Sequence, residues 1–160
     1  MLDGRVERGI EKYSVLRAIK AVARADVVVL LLDAQDLVTA QDAHVAGYIL
    51  EENRSIIVVV NKYDLINKDI YTMDAYTKQV RTDLKFLDYV PVLYISALSG
   101  QRVSKVIPTA LAVREARFRR IPTGELNRLV QDALARHSPP SKRGKRLKVF
   151  YASQPGVDPP

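Results

Sequence analysis

The stretch that decides the fold is Ser55-Ile56-Ile57-Val58-Val59-Val60, running straight into Asn61-Lys62-Tyr63-Asp64. An unbroken apolar run that stops abruptly at Asn, Lys and Asp reads as a buried parallel strand delivering polar side chains to a sheet edge. In open α/β sheets ligands bind at that edge. Asn-Lys-x-Asp in this position has a specific chemistry. One carboxylate can accept both the ring N–H and the exocyclic amino N–H of guanine, a donor pair that adenine lacks. On this reading Asp64 reads the base, Asn61 donates to a ring acceptor and braces the loop, and the methylene stem of Lys62 covers the base face.

Four residues of this kind also follow strands by chance, so the reading leans on a second stretch. Pro91-Val92-Leu93-Tyr94-Ile95 is again strand-like and again ends in small and polar residues, Ser96-Ala97-Leu98. A backbone N–H at Ala97 could donate to the guanine carbonyl, and the Ser96 hydroxyl could hold Asp64 in place. Alone, Ser-Ala-Leu is an ordinary turn. Two such loops in this order, separated by a helix-length segment, are more specific than either one.

The sequence at this point resembles the translational GTPases of the Ras-like P-loop class, and more closely the Der (EngA) family. Carrying the resemblance are Val6 through Ala18, Ala25-Asp26-Val27 through Leu32-Asp33-Ala34, and Thr39-Ala40-Gln41-Asp42. Asn61 through Leu65, Ser96 through Gly100, and Arg120 through Asn127 complete it. The resemblance implies an α/β fold: the back half of a Ras-like G domain over 1–118, then the opening of a KH-like α+β domain over 119–160. It implies guanine-nucleotide binding through Asn61, Lys62, Tyr63, Asp64, Ser96, Ala97 and Leu98. It also implies a place in large ribosomal subunit assembly, with rRNA or the subunit as partner.

Other segments are read from residue pattern. Over 11–25, Val15, Ala18, Ile19 and Val22 recur at helical spacing opposite Lys12, Arg17, Lys20 and Arg24. Val27 to Leu32 is the most hydrophobic strand and expects helices on both faces and strands on both edges. Asp33 stands at its tip, facing the crevice. The family usually has a glycine where this chain has Leu37. Thr39 and Asp42 form a capping box for a helix to about Asn53, with Ala43, Val45, Ala46, Ile49 and Leu50 inward. Met73 to Leu87 is a third helix, with Ala75, Tyr76, Val80, Leu84 and Leu87 inward, and Arg102 to about Phe118 a fourth. After Ile121-Pro122, Thr123 caps a helix from Glu125 to about His137, and Leu147 to Ala152 reads as one strand. His44 reads as a surface or packing residue.

The chain holds no Gly-x-x-x-x-Gly-Lys-Ser/Thr, the loop that cradles the β- and γ-phosphates and holds Mg²⁺. By the resemblance, the first-switch threonine would precede Met1 and the catalytic aspartate-x-x-glycine loop is missing. GTP or GDP is therefore expected to bind weakly, through the base alone, with no residue here ligating the family's Mg²⁺ and none assigned to catalysis. The chain is expected to be incomplete and unable to hydrolyse GTP by itself. A sheet without its first strand would leave 27–32 as an exposed edge open to self-association.

Charge divides the chain. Of 25 Lys/Arg and 18 Asp/Glu, 14 and 14 fall in residues 1–113, and 11 and 4 in 114–160. A neutral body with a basic tail suggests a polyanion partner for the tail. The alternative function is thus a non-enzymatic RNA- or ribosome-binding module working through Arg117, Arg119, Arg120, Lys142, Arg143, Lys145, Arg146 and Lys148. Few aromatics are interleaved, so phosphate contact is expected over base reading. The absence of cysteine makes a reducing cytoplasm the default and excludes disulfide and thiolate-metal chemistry. No apolar run approaches the roughly 20 residues of a membrane span.

Overall fold

Three parallel strands define the sheet in the order β1 (Val27–Asp33), β2 (Ser55–Asn61) and β3 (Val92–Tyr94). This is a computed structural model, and it describes residues 17–67, 72–137, 139–141 and 147–158. The register runs from Val27 opposite Ser55 to Asp33 opposite Asn61, and from Val58 opposite Val92 to Val60 opposite Tyr94. Parallel pairing in this register brings the C-terminal tips of all three strands to one edge, the geometry that the β2 sequence predicts. The chain divides into two compact units, 1–114 and 115–160.

In the first unit, Ile56 to Val60 are all buried, which is why β2 shows no polar alternation. Its two faces meet different layers. Val58 and Val60 join Leu30, Leu32, Ile49, Val80, Leu84 and Leu87 in the larger core, while Ile57 and Val59 pack with Ile95 against Val106, Ala110 and Val113. Fully burying each such side chain contributes about 1.5–3 kcal/mol, so β2 is the strongest single contributor to this unit.

β1 is the exposed edge expected of a sheet without its first strand, not the strand flanked on both edges and both faces that its composition alone suggests. Among the described residues β2 is its only strand partner, and although Leu30 and Leu32 are buried, Val29 and Leu31 are exposed. Helix α1, described over 17–24, buries Val22 against the core, with Ile19 half-buried and Ala18 exposed; the expectations for residues 11–16 lie outside the described residues.

Helix α2 (Ala40–Glu51) starts on the capping box as read: the Asp42 N–H donates to Thr39 Oγ1 at 3.2 Å and the Thr39 N–H to Asp42 Oδ2 at 2.9 Å. Ala46 and Ile49 are buried, but Val45 is 39% exposed rather than inward. Helix α3 (Thr72–Asp83) is shorter than expected, because the chain tightens into a 3₁₀ turn at Lys85–Leu87. At three residues per turn, positions i and i+3 eclipse, so Leu84 and Leu87 both reach the core. Ala75 lies on the exposed side. Helix α4 (Val106–Phe118) begins after a 3₁₀ turn at Val103–Lys105, later than the sequence suggests. Pro108 fits its first turn, where no backbone N–H is needed.

In the second unit, helix α5 (Thr123–Arg136) has Pro122 at its N-cap and no side-chain cap, so Thr123 is the first helical residue rather than the cap. No residue of α5 is buried, and Leu129 is 49% exposed. Residues 147–152 form no strand. Instead, the Asn127 amide takes both the N–H and the C=O of Ala152 at 2.8 Å, and Gln131 Nε2 donates to Val149 O at 2.9 Å. Side chains of the helix stand in for a neighbouring strand, which this segment lacks among the described residues.

The turn between β1 and α2 shows how the chain manages without the family's glycine. Leu37 adopts φ +55°, its N–H donating to Asp33 O at 2.8 Å, while its side chain packs on the larger core. A left-handed non-glycine residue costs about 1–2 kcal/mol, which that packing offsets. Leu37→Ala keeps the strain and loses the packing, whereas Leu37→Gly loses the packing and the strain together. Urea denaturation is therefore expected to find the glycine variant more stable than the alanine variant by about 1 kcal/mol; the reverse order would contradict this account of the turn.

Candidate functional site

At the common edge of the three strands, β2 ends on Asn61 and the chain turns sharply. Lys62 takes φ +59° and the next three residues, Tyr63–Leu65, form a 3₁₀ turn with the Leu65 N–H on Lys62 O at 3.0 Å. The loop after β3 runs alongside. Ile95 N–H donates to Val60 O at 2.9 Å and Tyr63 N–H to Ile95 O at 3.0 Å, which extends the ladder beyond the strand ends. Asn61 Oδ1 then accepts the Ala97 N–H at 2.9 Å. The two loops singled out in the sequence are thus joined by both backbone and side chain.

Each expected site residue can be placed. Asn61 is half-buried and braces the second loop, its Oδ1 committed to Ala97. The Ala97 N–H therefore has a protein acceptor in this structure. Ser96 is fully buried, and its hydroxyl accepts from the Ser99 N–H at 3.1 Å rather than holding Asp64. That bond closes a tight turn around Ala97 and Leu98, both exposed. Tyr63 sits in the core, 3% exposed, its ring against Tyr76 and Tyr94. It belongs to the site through its backbone alone. Asp64 is exposed and makes no hydrogen bond or ion pair with the described residues.

Lys62 has a partner that sequence reasoning missed. Its Nζ lies 2.5 Å from Asp33 Oδ2, and the other carboxylate oxygen accepts the Gln35 N–H at 3.0 Å. The signal was the equal offset of Asp33 and Asn61 from their strand starts, which parallel register turns into adjacency. The Lys62 hydrogen bond, helped by the Gln35 amide, holds the Asp33 carboxyl below its ordinary 3.8, and Asp33 raises the Lys62 ammonium above 10.5.

The basic residues of the second unit divide. Arg117 is largely buried and paired with Asp158, whereas Arg119, Arg120 and Lys148 are exposed with no ion-pair partner among the described residues. Lys142, Arg143, Lys145 and Arg146 lie outside the described residues. Among those described, no group of three or more His, Asp or Glu side chains stands close enough to hold a metal ion. No described helix is long and apolar enough to cross a membrane.

Comparison with known proteins identifies the family. The elongation factor Tu GTP binding domain family matches residues 9–135, and the chain belongs to that family of GTP-binding domains. Within it the similarity is to the C-terminal part of GTPase Der. The chain is 50% identical to GTPase Der of Syntrophotalea carbinolica and 51% identical to that of Moorella thermoacetica, in each case over 98% of this chain and 36% of the relative. It spans about a third of the length of these curated relatives. Residues 120–160 match the C-terminal KH-domain-like family of EngA bacterial GTPase enzymes. Solved structures with the same fold include a probable GTP-binding protein, engB, at TM-score 0.56 and 19% identity over 71% of this chain and 70% of that one. Aquifex aeolicus Era bound to GDP.AlF4- aligns at TM-score 0.52 and 24% identity, over 59% of this chain and 31% of that one.

The Asp33–Lys62 pair has a pH signature. Because the folded-state pKa of Asp33 is depressed, its stabilisation is complete above the unfolded value of 3.8 and is lost as pH falls through the lower folded value. For Lys62 the folded pKa is raised, so its share is complete below 10.5 and is lost as pH rises through the higher folded value. Asp33→Asn is expected to flatten the acid limb of the stability profile as pH falls below 3.8, relative to the unaltered chain. Parallel acid limbs in urea melts would show that the pair does not contribute.

Proposed function

We propose that the edge formed by Asn61–Asp64 and Ser96–Leu98 binds the base of a guanine nucleotide. Asp64 accepts the ring and exocyclic N–H groups, the Asn61 amide nitrogen donates to a ring acceptor, and the Lys62 stem lies over the base while Asp33 holds its ammonium. The observation that carries this reading is the pairing of a stitched loop with an unengaged carboxylate. Asn61 fixes the second loop through Ala97, and Asp64 alone among the acidic and amide side chains of the turn is left without a partner among the described residues. A carboxylate presented on a rigid turn suits a ligand with two adjacent donors.

The sequence given contains no phosphate-cradling loop, so affinity of this chain rests on the base. Kd for GDP is expected on the order of millimolar, or about −4 kcal/mol, with no phosphate released from GTP. In the whole protein the same edge would serve a Der-type GTPase of the bacterial cytoplasm acting in large ribosomal subunit assembly. A second reading, contact with RNA phosphates by the 115–160 unit, is favoured by the exposure of Arg119, Arg120 and Lys148.

One titration separates the two. Amide shift changes are expected at Lys62–Leu65 and Ala97–Leu98 on adding GDP, to be far smaller with ADP, and to disappear in Asp64→Ala. Equal response to GDP and ADP, or phosphate release with micromolar binding, would overturn the base-reading proposal. RNA binding that falls steeply with salt while GDP leaves 61–65 unmoved would favour the second reading.

A further inference from the structure

Tyr63 is absorbed by none of the roles above, yet it is the most elaborately held side chain of the loop. Its ring lies 5.0 Å from the Tyr94 ring, tilted by 49°, and 6.2 Å from that of Tyr76, edge to face. Three different elements meet there: the turn after β2, the last residue of β3, and α3. The Tyr94 hydroxyl is 2.7 Å from Thr77 Oγ1, which in turn donates to Met73 O at 2.8 Å. The cluster is therefore anchored to α3 by a hydrogen bond as well as by ring contact.

The turn needs such an anchor. Lys62 is in the left-handed region, and a 3₁₀ turn places adjacent side chains roughly a third of a revolution apart. With the Tyr63 ring driven into the core and its N–H bound to Ile95 O, the direction of the next side chain, Asp64, is set. No described side chain bonds to the Asp64 carboxylate, so its aim rests on how the turn that carries it is held.

We infer that Tyr63, clamped by Tyr76 and Tyr94, is a specificity-determining positioning residue that aims Asp64 so that both carboxylate oxygens meet the two adjacent donors of guanine. This rests on the base-reading proposal and goes beyond it. It assigns discrimination of the exocyclic amino group to a buried ring that never touches the ligand. A ring that only fills the core would affect stability and overall affinity but would not change selectivity between bases that differ in that one group.

The test compares GDP with inosine diphosphate, which lacks the exocyclic amino group and keeps the ring N–H. Binding is followed by amide shifts on the full chain, with folding verified by circular dichroism. The unaltered chain is expected to prefer GDP by about tenfold or more, the range for a hydrogen bond to a charged group. Tyr63→Leu, which keeps apolar bulk but loses the ring, is expected to bring that ratio below about threefold, whereas Tyr63→Phe keeps it. Tyr76→Leu, at a half-buried position, is expected to fall between, and it decides the matter in the same way if Tyr63→Leu fails to fold. A folded Tyr63→Leu or Tyr76→Leu chain with an undiminished ratio overturns the anchor and leaves the base reading standing. An unaltered chain with no preference for GDP overturns the base reading, and the anchor with it.

Discussion

The side-chain bond from the Ala97 N–H to Asn61 Oδ1, added to the backbone bond of Tyr63 with Ile95, ties two separate loops into one edge. Parallel register sets it up. With Val60 opposite Tyr94, the residues just beyond β2 and β3 emerge at the same height, and the ladder bonds of Ile95 and Tyr63 carry the alignment one step further. An antiparallel pair would send the two tips to opposite ends of the sheet. The five buried residues of β2 are what hold that register, because slipping by one position would exchange the residues packed on its two faces. The chemistry at the edge thus depends on apolar packing in the middle of the sheet.

Around that bond the polar groups are arranged so that most are already satisfied. Asp33 uses both carboxylate oxygens, Lys62 uses its ammonium, Ser96 its hydroxyl, and Asn61 its amide oxygen. Each commitment removes a degree of freedom from the turn. What is left is a half-exposed lysine stem, one amide nitrogen and one exposed carboxylate on a backbone that has little room to move. Preorganisation of this kind lowers the ordering cost of binding, which matters most where contacts are few.

Much of this was legible in the sequence, and the parts that were not share a cause. The run Ile56–Val60 announced a central strand, the Thr39–Asp42 spacing announced a helix start, and the polar residues closing each strand announced the edge. These signals are local. The Asp33–Lys62 pair, the burial of Tyr63 and the Asn61–Ala97 bond are set by neighbours 13 to 36 positions away, and no short window of sequence contains them. Tyr63 is the clearest case: flanked by Lys62 and Asp64 it looks like part of a polar loop, and only the left-handed backbone at Lys62 turns it inward. Leu37 likewise conceals its conformation, since the residue type argues against φ +55° and packing overrides it. The segment 147–152 failed in the other direction. Its β-forming composition was real, but a strand requires a neighbouring backbone, and here Asn127 and Gln131 take that place.

The central claim is that the Asp64 carboxylate recognises its ligand by accepting from two adjacent N–H groups. Replacing Asp64 with asparagine changes one of those acceptors into a donor, which matches xanthine, whose ring N–H stands next to a carbonyl rather than an amino group. The most direct measurement is therefore the affinity of the Asp64→Asn chain for XDP and GDP, side by side with the unaltered chain. The account predicts that preference inverts, with XDP bound more tightly than GDP by the variant alone. A variant that loses both nucleotides equally, or that continues to prefer GDP, would contradict it.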